Sequence, residues 1–245
     1  MIFCVSDLHL GDRGCRDNFA VGDREKKLDK FLDYVGGNQV LILGDLIDCW
    51  TTNMSRAYHA YSKLFNRLWQ MEAVWILGNH DNVLQPTDPW PWPNCPERAE
   101  NFTAKINGKS FQFIHGHGVD TACNTPNPGI GNITAIISGL LEDRNGGPTR
   151  DGFIEDKFIS VLEKALKLWR KEDRSKELLE KIKGYRTSEV LVFGHTHQAG
   201  QVGDTVYNCG CWCRDRDTFV QIDDRGSVSV NEWLGTKARK LEVQL

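Results

Sequence analysis

Six of the seven histidines fall inside five short blocks: Ser6-Asp7-Leu8-His9, Gly44-Asp45-Leu46-Ile47-Asp48, Gly78-Asn79-His80-Asp81, His115-Gly116-His117 and Gly194-His195-Thr196-His197. Only His59 stands apart. Each of the first three blocks follows directly on a short β-branched run: Ile2 to Val5, Val40 to Leu43 and Val74 to Leu77. Between these runs, Leu28, Phe31, Leu32 and Val35 repeat at helical spacing, as do Tyr58, Tyr61, Leu64, Phe65, Leu68 and Trp69. Strands alternating with amphipathic helices predict parallel strands joined by crossovers, hence an α/β fold. In such sheets ligands collect at the carboxyl ends of the strands, so blocks far apart in sequence are expected to meet on one rim.

The remaining chain is expected to form a single domain over residues 1–245, interrupted by an insertion. Pro86 to Pro96 reads as an irregular loop that includes Trp90 and Trp92. Phe102 to Ile106 and Ser110 to Ile114 form a hairpin on an Asn107-Gly108 turn, which delivers His115. From 119 to about 187 the pattern breaks into a Pro- and Gly-containing loop and a long helical stretch, Gly152 to about Lys183, read as a helical cap. The apolar excess between Phe153 and Trp169 is assigned to cap helices packing on one another rather than to an acyl groove. Val190 to Phe193 returns to the sheet, and strands near 205–209, 217–222 and 227–231 follow, suggesting a second, mostly antiparallel sheet.

Composition narrows the partners. A formal net charge of -3 and the lack of an extended basic stripe argue against a long nucleic acid. No run of about eighteen apolar residues is present, so no transmembrane segment is expected, while peripheral membrane contact stays open. The opening Met1-Ile2-Phe3-Cys4-Val5 runs straight into Asp7 with no charged leader, and the expected location is cytoplasmic. The eight cysteines lack zinc-ribbon spacing and read as free thiols; Cys209, Cys211 and Cys213 alternate along an expected strand as small buried residues.

Residues two apart on an extended segment point the same way, so Asp7 with His9, and His195 with His197, can each present two ligands to one point. An Asp, Asn and His donor set suits Mn, Fe or Zn, with Mn the first choice. Two divalent ions about 4 Å apart repel strongly unless an anion bridges them, and Asp45 is the candidate bridge. His80 is placed to supply a proton to a leaving oxygen, with Asp81 to orient it. Asp48 fits either a helix cap or an orienter of a metal-binding side chain. His117 fits either a loop hydrogen bond or a substrate contact.

The five blocks, in this order, resemble the calcineurin-like metallophosphoesterase superfamily. The resemblance implies a four-layer α/β/β/α sandwich with two metal ions. One would be held by Asp7, His9, Asp45 and His197, the other by Asp45, Asn79, His115 and His195, with His80 as general acid and Asp48 behind the ligands. A closer resemblance, to the UDP-2,3-diacylglucosamine pyrophosphohydrolases, rests on Ser6 to Gly11 with Arg13-Gly14-Cys15, on Gly44 to Trp50, and on Tyr207-Asn208-Cys209-Gly210 with Trp212. The chain departs from that group at His117, where an aspartate is usual, and at Cys211-Trp212-Cys213-Arg214. The expected activity is hydrolysis of a phosphoester or pyrophosphate bond in a phosphorylated small-molecule or nucleotide-linked substrate. The alternatives are a nuclease or cyclic-nucleotide phosphodiesterase of the same superfamily, or a metal-binding scaffold without catalysis.

Overall fold

Two mixed β-sheets stack face to face in the computed structural model, which describes residues 1–81, 98–120, 172–214 and 216–245. The elements at the start of the chain are β1 (Ile2–Val5), α1 (Arg24–Val35), β2 (Gln39–Leu43), α2 (Met54–Ala60), α3 (Ser62–Gln70), β3 (Val74–Ile76) and β4 (Arg98–Ala99). The hairpin β5 (Asn101–Ile106) and β6 (Lys109–Ile114) comes next, then α4 (Glu172–Gly184) and β7 (Val190–Phe193). The chain finishes with β8 (Gly200–Val202), β9 (Val206–Asn208), β10 (Thr218–Ile222), β11 (Val228–Trp233) and β12 (Ala238–Lys240). The first sheet has the order β12-β11-β10-β1-β2-β3-β4 and the second β5-β6-β7-β9-β8.

The central strands are apolar throughout because both of their faces are buried. In β1, β2 and β3, Phe3, Val5, Val40, Ile42 and Trp75 pack on the helical side, whereas Cys4, Leu41, Leu43, Val74 and Ile76 face the second sheet. Phe111, Phe113, Val190 and Val192 meet them from β6 and β7. On the far side of the second sheet, Leu179 and Ile182 of α4 cover Ile114, Leu191 and Phe193. Helices, sheet, sheet and helix give the expected four-layer sandwich.

Several details differ from expectation. β10, β11 and β12 do not build a second antiparallel sheet; they extend the first, with β10 antiparallel to β1. The second sheet is half parallel, because β7 pairs in parallel with both β6 and β9. The helix expected over Tyr58 to Trp69 is two, broken at Tyr61, whose φ of -123° leaves the helical region. Its apolar periodicity survives the break because Tyr61 stays buried on the same face and its hydroxyl bonds Asp17 at 2.6 Å. The Asn107-Gly108 turn forms as expected, with φ of 48° and 81°. The loop at 86–96 and the apolar stretch Phe153 to Trp169 lie outside the described residues. The expected cap is described only at its two ends, and from Glu172 its chain is α4, the outer layer on the second sheet. No helix of the described residues is long and apolar enough to cross a membrane.

Phe31 of α1 makes ring contacts with Phe3, Tyr34, Trp212, Phe219 and Trp233, joining α1 to the first sheet. Phe31→Ala is expected to destabilise the chain by about 3–5 kcal/mol in urea denaturation; a loss below about 1 kcal/mol would show that this cluster does not anchor the helical layer.

Candidate metal centre

Every motif sits where a strand stops. β1, β2, β3, β6 and β7 end at Val5, Leu43, Ile76, Ile114 and Phe193, and the next few residues carry the histidines and carboxylates. The loops are stitched together by backbone bonds. Asp7 N–H donates to Gly44 O at 3.1 Å, His9 N–H to Asp45 O at 2.9 Å and Gly194 N–H to His115 O at 3.0 Å. Carboxylates join the same mesh: Asp45 Oδ1 accepts from His80 N–H at 2.8 Å, and Asp7 Oδ2 from His195 N–H at 3.0 Å and from the Ser6 hydroxyl.

The backbone pays for this convergence. Among the described residues, eight other than glycine have positive φ, and five of them are Asp7 (54°), His9 (51°), Asp45 (51°), His195 (68°) and His197 (59°). Each such conformation costs on the order of 1–3 kcal/mol and persists only where the surroundings impose it. The extended Asp7-to-His9 geometry expected from the sequence is therefore replaced by left-handed turns. Gly78 and Gly194 permit the close approach. A methyl group on Gly78 would lie 2.1 Å from Asp45 Oδ1, and one on Gly194 would lie 1.8 Å from Ser6 Oγ.

The result is a buried nest of acceptors and ring nitrogens. His197 Nε2 lies 3.0 Å from Asp7 Oδ1 and 3.3 Å from His9 Nε2. His9 Nε2 is in turn 3.7 Å from Asp45 Oδ2. On the other side of Asp45, His115 Nε2 is 3.3 Å from Oδ2 and 3.1 Å from Asn79 Oδ1, while its Nδ1–H is taken by Leu43 O at 2.7 Å. Asp7, Asp45 and His115 present three donor atoms within 4.8 Å of one another. Asp7 Oδ1 is buried and accepts no hydrogen bond despite the nearby ring nitrogens. An unsatisfied buried carboxylate oxygen ringed by imidazole nitrogens is the arrangement a divalent cation completes, so the donor set fits a metal.

Electrostatics agree. Burial alone would raise the Asp7 and Asp45 carboxyls, yet the histidines hold both far below the usual range, His197 foremost at Asp7 and His115 at Asp45. The histidines shift the opposite way. Burial would lower them, but Asp45 lifts His115 to about 9 and Asp7 lifts His197 to about 10.

The other expected residues are placed less uniformly. His80 Nδ1 bonds Asp48 Oδ1 at 2.7 Å, its ring stacks on Trp50 at 3.7 Å, and its Nε2 is 4.0 Å from Asp45 Oδ2. Asp48 thus takes the orienting place expected of Asp81. Asp81 instead turns inward, accepting from Leu46 N–H, Ile47 N–H, Gly78 N–H and Trp75 Nε1–H. Burial, then the charge of Asp45, raises its carboxyl to about 7. His195 and His197 do not point to one spot: His195 Nε2 meets Asp120 Oδ2 at 3.2 Å, with its ring 5.1 Å from that of His115. His117 lies 5.4 Å from the His115 ring, its buried Nδ1 accepts no bond, and burial and then His115 lower it to about 4. Sequence reasoning missed Asp120, which lies in no motif. It also gave no role to Asn208, whose Nδ2 fixes Gly194 O at 3.2 Å and Thr196 Oγ1 at 2.6 Å.

A family model covers most of this chain. Residues 1–199 match the calcineurin-like phosphoesterase model, so the chain belongs to that family, whose members use divalent metals to act on phosphorylated substrates. No curated protein matches it. Among solved structures it is similar to vacuolar protein sorting 29 from Cryptosporidium parvum, at 14% identity over 98% of this chain and 94% of that one, TM-score 0.45. It is also similar to Vps29 complexed with zinc from Entamoeba histolytica, at 15% identity, 99% and 97% coverage, TM-score 0.41. A third is a predicted phosphoesterase from Streptococcus pneumoniae, at 15% identity, 98% and 95% coverage, TM-score 0.37.

The shifted histidines set a pH dependence for the metal-free chain. Groups whose folded pKa is raised stabilise fully below the unfolded value, about 6.5 for histidine, and that stability is lost as pH rises through the folded value. With His115 at about 9 and His197 at about 10, unfolding free energy of the chelator-treated protein is expected to fall between about pH 6.5 and 10. Denaturant titrations across that range check it, and a flat or rising profile contradicts the pairing.

Proposed function

We propose that the chain is a binuclear metallophosphoesterase that hydrolyses a phosphoester or pyrophosphate bond. The observation that carries this is the buried, unsatisfied Asp7 Oδ1 set among His9, His197 and Asp45, with His80 held at the edge of the same nest. Asp7, His9, Asp45 and His197 would hold one cation; Asp45, Asn79, His115 and His195 the other, with Asp45 between them. Two bound divalent cations, Mn by preference, supply neutralisation of phosphoryl charge and activation of water near neutral pH.

The chain's own residues do the rest. Leu43 O takes Nδ1–H of His115, which turns the Nε2 lone pair toward Asp45 and Asn79. Asp48 holds Nδ1–H of His80 and Trp50 covers one ring face, so Nε2 is the nitrogen that faces the nest and can donate a proton to the leaving oxygen. Asp48 also fixes the orientation of that ring. Asp81 keeps the strand-end loop of Asp45 and Gly78 in register.

For the substrate, we favour a nucleotide-linked pyrophosphate of the UDP-sugar-lipid kind. The motifs Gly44 to Trp50 and Tyr207 to Gly210 support it.

With Mn added, turnover of bis-p-nitrophenyl phosphate is expected. Asp45→Ala should abolish it together with metal binding, whereas His80→Ala should keep its metal and slow about 100-fold or more. Metal analysis beside kinetics decides; undiminished rate in the His80 variant removes the acid role, and metal binding without turnover in the wild type leaves a scaffold. A panel of UDP-linked acylated sugars, cyclic nucleotides and oligonucleotides sorts the substrate class. UMP release is the expected result, and preference for the cyclic or polymeric diesters would overturn it.

A further inference from the structure

Three sulfurs lie along the segment behind His197, and two of them touch that residue. The chain bends over Trp212–Arg214. Trp212 is fully buried, its indole N–H donating to Thr218 O at 2.8 Å and its backbone N–H to Asp7 O at 3.2 Å. With Trp212 pinned into the core, its neighbours on either side, Cys211 and Cys213, are presented together toward His197. Cys211 Sγ lies 4.0 Å from His197 O and Cys213 Sγ lies 3.8 Å from His197 Nδ1, so both sulfurs close on the same residue. Cys211 is buried while Cys213 is partly exposed.

We infer that Cys211 and Cys213 are a redox-active dithiol whose oxidation to a disulfide by a hydroperoxide weakens metal binding at the Asp7, His9 and His197 position. The inference rests on the proposed metal centre. His197 turns Nε2 to Asp7, so its Nδ1–H needs an acceptor to hold the ring and its tautomer, and the acceptor present is a sulfur. Its loss acts on the metal through the ring, which makes Cys213 a positioning residue.

The chemistry balances with the oxidant named. One of the two sulfurs attacks the peroxide; the O–O bond breaks, a sulfenic acid forms and water or an alcohol leaves. The other sulfur then attacks the sulfenic sulfur, the S–O bond breaks, and the departing oxygen leaves as water with the second thiol's proton. Two thiols lose two electrons in total and the hydroperoxide gains them. Forming the S–S bond draws Cys213 Sγ onto Cys211, so Nδ1 of His197 loses its partner.

The test uses the full chain, with Mn(II) titrated by calorimetry into protein that is reduced, peroxide-treated, or treated and then re-reduced with dithiothreitol. Fragment mass spectrometry of the treated protein should place the new bond between Cys211 and Cys213. Affinity for one Mn should fall by about tenfold or more on oxidation and return on reduction, while Cys211→Ser/Cys213→Ser should not respond to peroxide. The reversal within the wild type keeps the result independent of how the variant folds. Equal affinity before and after oxidation, or a bond formed elsewhere, overturns the inference alone. Absence of Mn binding by the reduced protein overturns it together with the proposed metal centre.

Discussion

Two carboxylates removed from water dominate this structure. Asp7 and Asp45 are buried at the ends of adjacent parallel strands, and neither could remain ionised there without concentrated positive partners. The backbone supplies amide donors, the histidines supply ring nitrogens, and one oxygen of Asp7 is still left unsatisfied. The left-handed conformations of Asp7, His9, Asp45, His195 and His197 follow from the same demand, since only tight turns bring these side chains to one place from three strand ends. Site and strain are one feature.

The sandwich makes that strain tolerable. Its central strands are buried on both faces and α1 locks on through aromatic rings, so the rim is the end of a rigid frame. Trp212 shows the coupling: the same residue packs against Phe31 in the core and donates its backbone N–H to Asp7 O. Packing far from the nest therefore fixes the position of a carboxylate within it, and it also sets where the neighbouring thiols fall.

Much of this was legible in the sequence. β1, β2 and β3 read as apolar runs because both faces are covered, and α1 reads as a helix because Leu28, Phe31, Leu32 and Val35 share one stripe. The blocks that end those strands read as a convergent rim because parallel strands bring their carboxyl ends to one edge. What could not be read depends on backbone turns and distant partners. His195 and His197 look equivalent in Gly-His-Thr-His, yet left-handed turns send one to Asp120 and the other to Asp7. Asp81 adjoins His80 in sequence, but Asp48, 32 residues earlier, is the one that reaches its ring. The destination of β10 to β12 hung on pairing with β1, for which alternation alone carries no partner information.

The nest around Asp45 is proposed to hold a pair of divalent cations. Anomalous diffraction from crystals grown with Mn tests it most directly. Two Mn peaks are expected to flank the Asp45 carboxylate, one among Asp7, His9 and His197 and one beside Asn79 and His115. A single peak away from Asp45, or none, would contradict it.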